Sequence, residues 1–193
     1  MSYSQLYTTE AIVLKRKNTG EADRILTLFT KEHGKIRVIA KGVRRIKSRR
    51  AGHLELFSRV FVTIHKGKSL DIVTEATRSI DATSISTTHD LTRLAFTYFL
   101  CELVDQLTAE RQEHADVFTL LKDSLQYIAL DPLPENQKQF SYKTTLGVLR
   151  ALGFLPPTVS VPESELVPFI ERITERRLKT PAILTVFQTA KYT

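Results

Sequence analysis

Between Lys35 and Arg50 the chain reads KIRVIAKGVRRIKSRR, eight Lys/Arg (Lys35, Arg37, Lys41, Arg44, Arg45, Lys47, Arg49 and Arg50) and no acid. Cations at that density, in a chain of pI near 9.6, are suited to neutralising a polyanion. A merely solvated basic surface has the same composition, so placement decides between the two. Other candidate chemistries fall away on spacing. Gly67-Lys68-Ser69 has the end of a phosphate-binding P-loop, but Val62 stands where its first glycine belongs and no helix pattern follows. The five histidines (His33, His53, His65, His89 and His114) form no pair at metal-ligand spacing, and neither HExxH nor GxSxG occurs. Glu21 and Asp23 could seat Mg²⁺ in a nuclease, yet no further carboxylate clusters with them, and loop polarity or a salt bridge to Arg24 accounts for the pair.

The elements that must position the cations come next. Ile36, Val38 and Ala40 alternate with Arg37, Ile39 and Lys41, the period of a half-buried strand, and after Gly42 the pattern ends in a loop. Four more strands are predicted: Thr8 to Lys15, Arg24 to Thr30, Phe57 to His65 and Leu70 to Thr77, with turns at Glu32 to Lys35 and Lys66 to Ser69. Five short strands without a helix among them suggest a closed barrel, since closure leaves no unpaired edge. The oligonucleotide-binding (OB) barrel is the commonest such solution. Three cationic loop tips are then expected, at Lys15/Arg16/Lys17, Arg44 to Arg50 and Lys66/Lys68, flanking the face of strands two and three. The barrel's aromatics, Tyr3, Tyr7, Phe29, Phe57 and Phe61, are read as core residues rather than as a stacking platform.

Beyond residue 80 the period becomes helical. Thr88 is a plausible N-cap to a broadly apolar helix running through Leu107; others follow from Ala115 to Leu130, Asn136 to Leu152 and Pro168 to Arg177, with a last one after Thr180-Pro181. The fold class is therefore α+β in two domains, an OB barrel over 1–80 that binds nucleic acid and an all-α helical bundle over 81–193 that docks proteins. Charge divides the same way: residues 1–79 hold 17 Lys/Arg against 7 Asp/Glu, net +10, and residues 80–193 hold 11 against 14, net −3. The single cysteine, Cys101, excludes a disulfide framework or a thiolate-built zinc site and fits a reducing compartment. With no signal-like or bilayer-length apolar run, the expectation is a soluble, cytoplasmic protein without membrane partners. An OB-type RNA-binding or ribosome-associated protein would show the same charge pattern.

TEAIVL (Thr9 to Leu14), GEADRI (Gly20 to Ile25), LFTKEHGKI (Leu28 to Ile36), AKGVRRIKSR (Ala40 to Arg49) and GHLELF (Gly52 to Phe57), in this order, closely resemble the N-terminal domain of the RecO recombination-mediator family. LGVLRALGF (Leu146 to Phe154) and RLKT (Arg177 to Thr180) are similar to its helical part. The resemblance implies a non-enzymatic DNA-repair mediator, an OB domain followed by helices. It implies binding of single- and double-stranded DNA, annealing of complementary strands, and action with RecR and the single-stranded-DNA-binding protein to load RecA recombinase. Lys41, Arg44, Arg45 and Lys47 then belong to the family's basic DNA-binding surface, while Gly20, Gly34 and Gly42 match its turn glycines. Where many members carry a four-cysteine zinc element, this chain reads PPTVSVPESE, so neither zinc nor any other cofactor is expected. The chain also ends early compared with many members, which leaves the role of its terminal helices open.

The DNA-binding set expected is Lys15, Arg16, Lys17, Lys35, Arg37, Lys41, Arg44, Arg45, Lys47, Arg49, Arg50, Lys66 and Lys68. For the single-stranded-DNA-binding protein, the family expectation is an acidic C-terminal tail ending in apolar residues. Phe140, Lys143, Gly147 and Arg150 recur along one side of the third helix and could receive it, with Gly147 admitting the peptide backbone. The same spacing serves equally for packing against a neighbouring helix.

Overall fold

Alternation makes the barrel. In a computed structural model, which describes residues 6–79, 91–129 and 137–180, five strands are formed by β1 (Leu6–Thr19), β2 (Asp23–Thr30), β3 (Gly34–Ala40), β4 (Arg59–His65) and β5 (Asp71–Arg78). They close in the order β1-β2-β3-β5-β4, antiparallel except for the β3–β5 pair. This is the OB barrel. Every second residue of β3 and β4 points inward, so Ile36, Val38, Val60, Val62 and Ile64 are fully buried in the barrel core with Leu26 and Leu28. The long loop between β3 and β4 contributes Val43 and Leu54 to that core, which anchors the cationic segment at both ends.

Strand β1 is longer than the sequence suggests. Lys15, Arg16 and Lys17 are not a loop tip: they continue β1 and pair with Thr27, Leu26 and Ile25 of β2, after an irregularity between Val13 and Lys15 that shifts the register. Pairing to β2 supplies the backbone partners that a run of polar side chains does not advertise. The turn that follows is at Gly20 to Ala22.

The helices α1 (Leu91–Leu107), α2 (Ala115–Ile128), α3 (Gln137–Ala151) and α4 (Glu163–Thr174) build a second core on the outside of the barrel. Ile12, Leu14, Phe29 and Phe57 join Phe99, Leu103, Val104, Phe118, Leu121 and Leu149 there. Phe29 and Phe118 meet with ring centroids 6.1 Å apart. At the β2–β3 turn the fit is tight: Gly34 has φ +61, and a Cβ there would collide with the Gln112 carbonyl, while the Arg111 amide donates to the Lys35 carbonyl at 2.8 Å. Cys101 is buried in α1, and desolvation followed by the nearby Asp105 charge raises its thiol above the ordinary range, so it behaves as a small apolar residue.

Helix α4 starts earlier than expected. Pro168, read from the sequence as its first residue, lies inside it, and Pro162 precedes it with extended geometry (ψ 146). The lost backbone bond is tolerated because Leu166 and Ile170, four apart, bury the face on either side of Pro168, and Glu163 and Glu165 favour the helix N-terminus. Glu175, left-handed at φ 53, ends it. The predicted cap at Thr88, the stop at Asp131-Pro132 and the helix after Thr180 lie outside the described residues. Among those described, no helix is long and apolar enough to cross a membrane.

Candidate nucleic-acid interface

The loop after β3 is held down by its own chemistry. Gly42 takes φ +65, and its amide donates to the Asp23 carboxylate at 2.7 Å, while the Arg44 amide donates to the Ala22 carbonyl at 2.9 Å. Asp23 is therefore occupied as an anchor for the loop. Arg50 acts in the same sense: its guanidinium donates to the carbonyls of Lys41 (2.8 Å) and Val73, tying the loop to β5. Between these anchors the loop turns back on itself through Arg45 N–H to the Gly42 carbonyl at 3.1 Å and Ser48 N–H to the Arg45 carbonyl at 2.9 Å.

Loop and strand enclose a groove of about 600 Å³. Lys41, Arg45, Lys47 and Arg49 line the loop side, Thr74 to Thr77 the β5 side. These four cations are exposed, and no acid among the described residues pairs with them. The one acid in the groove, Glu75, accepts a long hydrogen bond from the Thr63 hydroxyl at 3.5 Å. Four unpaired cations on a backbone held at both ends can bind phosphates without base contacts. Ile46, fully exposed at the loop tip, stands between Arg45 and Lys47.

The other expected cations are placed differently. Arg44 points to the Gly20 carbonyl (3.4 Å) at the β1–β2 turn, beside Arg24 and Arg16. Burial, then the Arg16 and Arg44 charges, lower the Arg24 guanidinium below its ordinary pKa, and Glu55 pairs with Arg16 and, at 2.9 Å, with Arg24. Lys35 is mostly buried and donates to the Asp105 carbonyl, with the Asp105 carboxylate 3.6 Å away. Lys15 pairs with the same carboxylate. Both lysines thus fasten the barrel to α1. Lys17 and Arg37 are exposed on the outer face of β1–β3, and Lys66 and Lys68 are exposed on the β4–β5 turn. Neither of the last two lines the groove.

One reading of an aromatic side chain changes. Phe61, taken from the sequence as core, is 44% exposed on the outside of β4, opposite Thr77 at the groove's β5 wall. The signal was present, because Phe61 is out of phase with Val60, Val62 and Ile64. On α3, Phe140 stacks on Tyr127 of α2 at 4.2 Å, and a Cβ on Gly147 would lie 3.0 Å from Leu120. That side of α3 is helix packing at those two positions. Arg150 donates to the Val159 carbonyl at 3.1 Å, and Lys143 is exposed. Among the described residues no group of His, Cys, Asp and Glu is arranged to hold a metal ion.

Both halves of the chain are similar to known proteins. Residues 1–79 match the family model described as recombination protein O N terminal, and residues 88–160 the one described as recombination protein O C terminal. The chain is 47% identical over 148 residues to a DNA repair protein RecO of Bifidobacterium adolescentis, covering 77% of this chain and 58% of that protein. It is 38% identical over 152 residues to a RecO of a Roseiflexus species (79% and 52%) and 36% identical over 159 residues to one of Desulfitobacterium hafniense (82% and 56%). The chain spans about half the length of the curated relatives it matches.

Proposed function

The chain belongs to the recombination protein O family, and on that premise we propose that it acts in DNA repair and recombination as a mediator that performs no bond-breaking chemistry of its own. Its barrel grips single- and double-stranded DNA by the phosphate backbone and brings complementary strands together. Its helical part docks proteins: RecR, the acidic C-terminal tail of the single-stranded-DNA-binding protein and, through them, RecA recombinase. The observation that supports the DNA reading most is the groove between the 41–50 loop and β5, with Lys41, Arg45, Lys47 and Arg49 exposed and unpaired around it. Phosphate contacts dominate nucleic-acid affinity and need only such cations, which makes the grip indifferent to sequence.

The division of labour, barrel for DNA over residues 1–80 and helices for proteins over 81–193, follows the charge division. Binding of labelled single-stranded DNA, duplex DNA and structured RNA at several salt concentrations tests the reading. DNA should compete at least as well as RNA, with affinity falling steeply as salt rises. A preference for structured RNA would instead assign the barrel to RNA.

A further inference from the structure

The tip of the 41–50 loop carries a side chain that the fold does not use. Ile46 is 105% exposed, more than twice Leu6, the next most exposed large apolar residue described, at 49%. A single aliphatic chain in water is ordinary on a protein surface, but the setting of this one is not. The Ser48 amide donates to the Arg45 carbonyl at 2.9 Å, so Arg45 to Ser48 form a turn with Ile46 and Lys47 at its two central positions. Turns commonly fill those positions with Gly, Asn, Asp, Ser or Pro; a β-branched aliphatic residue there supplies neither a side-chain hydrogen bond nor buried area. The turn is also held in place. Another precedes it, closed by the Arg45 amide on the Gly42 carbonyl at 3.1 Å, and Val43 and Leu54, buried in the barrel core, fix the loop on both sides.

Ile46 does not line the loop–β5 groove, whereas its neighbours Arg45 and Lys47 do. Both cations are exposed, and no acid among the described residues pairs with either. A nucleic-acid backbone held by the two therefore has an aliphatic turn apex between its contacts. The largest apolar surface that such a polyanion offers is the faces of its bases, which in a duplex open to an aliphatic side chain when one base step parts. We infer that Ile46 is a wedge that enters a base step of duplex DNA while Arg45 and Lys47 hold the flanking phosphates. Being stiff at χ1, the side chain loses little freedom on insertion. The cost of parting a step depends on the step: a mismatch or a pyrimidine–purine step yields more readily than a G·C-rich stack. The wedge thereby makes the grip selective for duplex that is already weakly stacked, a selectivity that phosphate contacts alone do not provide. The inference rests on the DNA-binding reading and deepens it, since it names the state of the DNA that the loop prefers.

The test uses the full chain and two duplexes of equal length and charge, one fully paired and G·C-rich, the other with a central mismatch beside 2-aminopurine, a base that brightens when it is unstacked. The wild type should brighten the mismatched duplex and bind it roughly tenfold more tightly, the size expected for taking one aliphatic side chain out of water. Ile46→Ser should bind both duplexes equally and leave the probe as it is in free DNA, whereas Ile46→Leu should keep the preference. Neither substitution changes charge, so the slope of affinity against salt should be the same in all three proteins. Ile46 is fully exposed, so both variants should melt as the wild type does. Equal binding of the two duplexes by the wild type, or a preference that Ile46→Ser retains, would overturn the wedge while leaving the groove reading intact. A wild-type chain that binds neither duplex would remove both. If Ile46→Ser leaves the mismatch preference unchanged but releases the chain from phosphatidylserine vesicles, the tip serves a membrane surface and the inference is wrong.

Discussion

Replacing Arg45 and Lys47 by Gln should change how DNA binding responds to salt, by an amount set by the number of cations in the groove. Lys41, Arg45, Lys47 and Arg49 are the four unpaired ones; Arg50 is spent on the carbonyls of Lys41 and Val73. Each phosphate neutralised on a single strand contributes a slope of about −0.7 in log K against log salt, so four predict about −2.8 and two about −1.4. Between 50 and 200 mM salt the wild-type groove should thus lose about 50-fold in affinity and the double variant about 7-fold. Anisotropy with a single-stranded oligomer, wild type against the double variant over the same salt range, reads both slopes. Both substituted side chains are exposed, so the melting temperature should hold. A slope that stays near its starting value in the double variant would show that these two side chains do not meet phosphate, and the groove would lose its assigned role.

Asp23→Ala should cost about 1 kcal/mol by removing the acceptor of the Gly42 amide, and should weaken DNA binding as well, since the loop then loses its fixed course; denaturant titration and anisotropy read the two effects separately. Phe118→Ala empties a fully buried site against Phe29 and should destabilise the chain by about 3–5 kcal/mol, followed by chemical denaturation. Burial first, then the Asp71 charge, push the Tyr7 hydroxyl from 10.0 up to about 12 against a smaller opposing effect of Arg111. Because the folded form binds this proton more tightly than the unfolded one, stability should fall as pH rises from about 10 to about 12. Ultraviolet titration should find Tyr7 titrating late, and Asp71→Asn should move it towards 10.

The barrel was legible because its strands alternate: Ile36, Val38 and Ala40 in β3 and Val60, Val62 and Ile64 in β4 declare their inner face outright. The end of β1 was not, since Lys15 to Thr19 have no apolar alternation and owe their extended form to pairing with β2 after an irregularity in register. A similar limit applies to α4, where Pro168 looks like a helix start until the burial of Leu166 and Ile170 on both sides of it is known. The cationic loop announced itself by composition, but which of its cations are free did not. Arg50 and Lys35 have the same charge as Arg45, and only tertiary structure gives the first to backbone carbonyls and the second to Asp105.

The central claim, that DNA lies between the 41–50 loop and β5, is tested most directly by hydrogen–deuterium exchange of the full chain with and without single-stranded DNA at low salt. Protection should appear in peptides spanning residues 41–50 and 74–77, and should vanish there at salt high enough to release the strand. Protection confined to the helices, with the loop and β5 exchanging as in the free chain, would contradict the account.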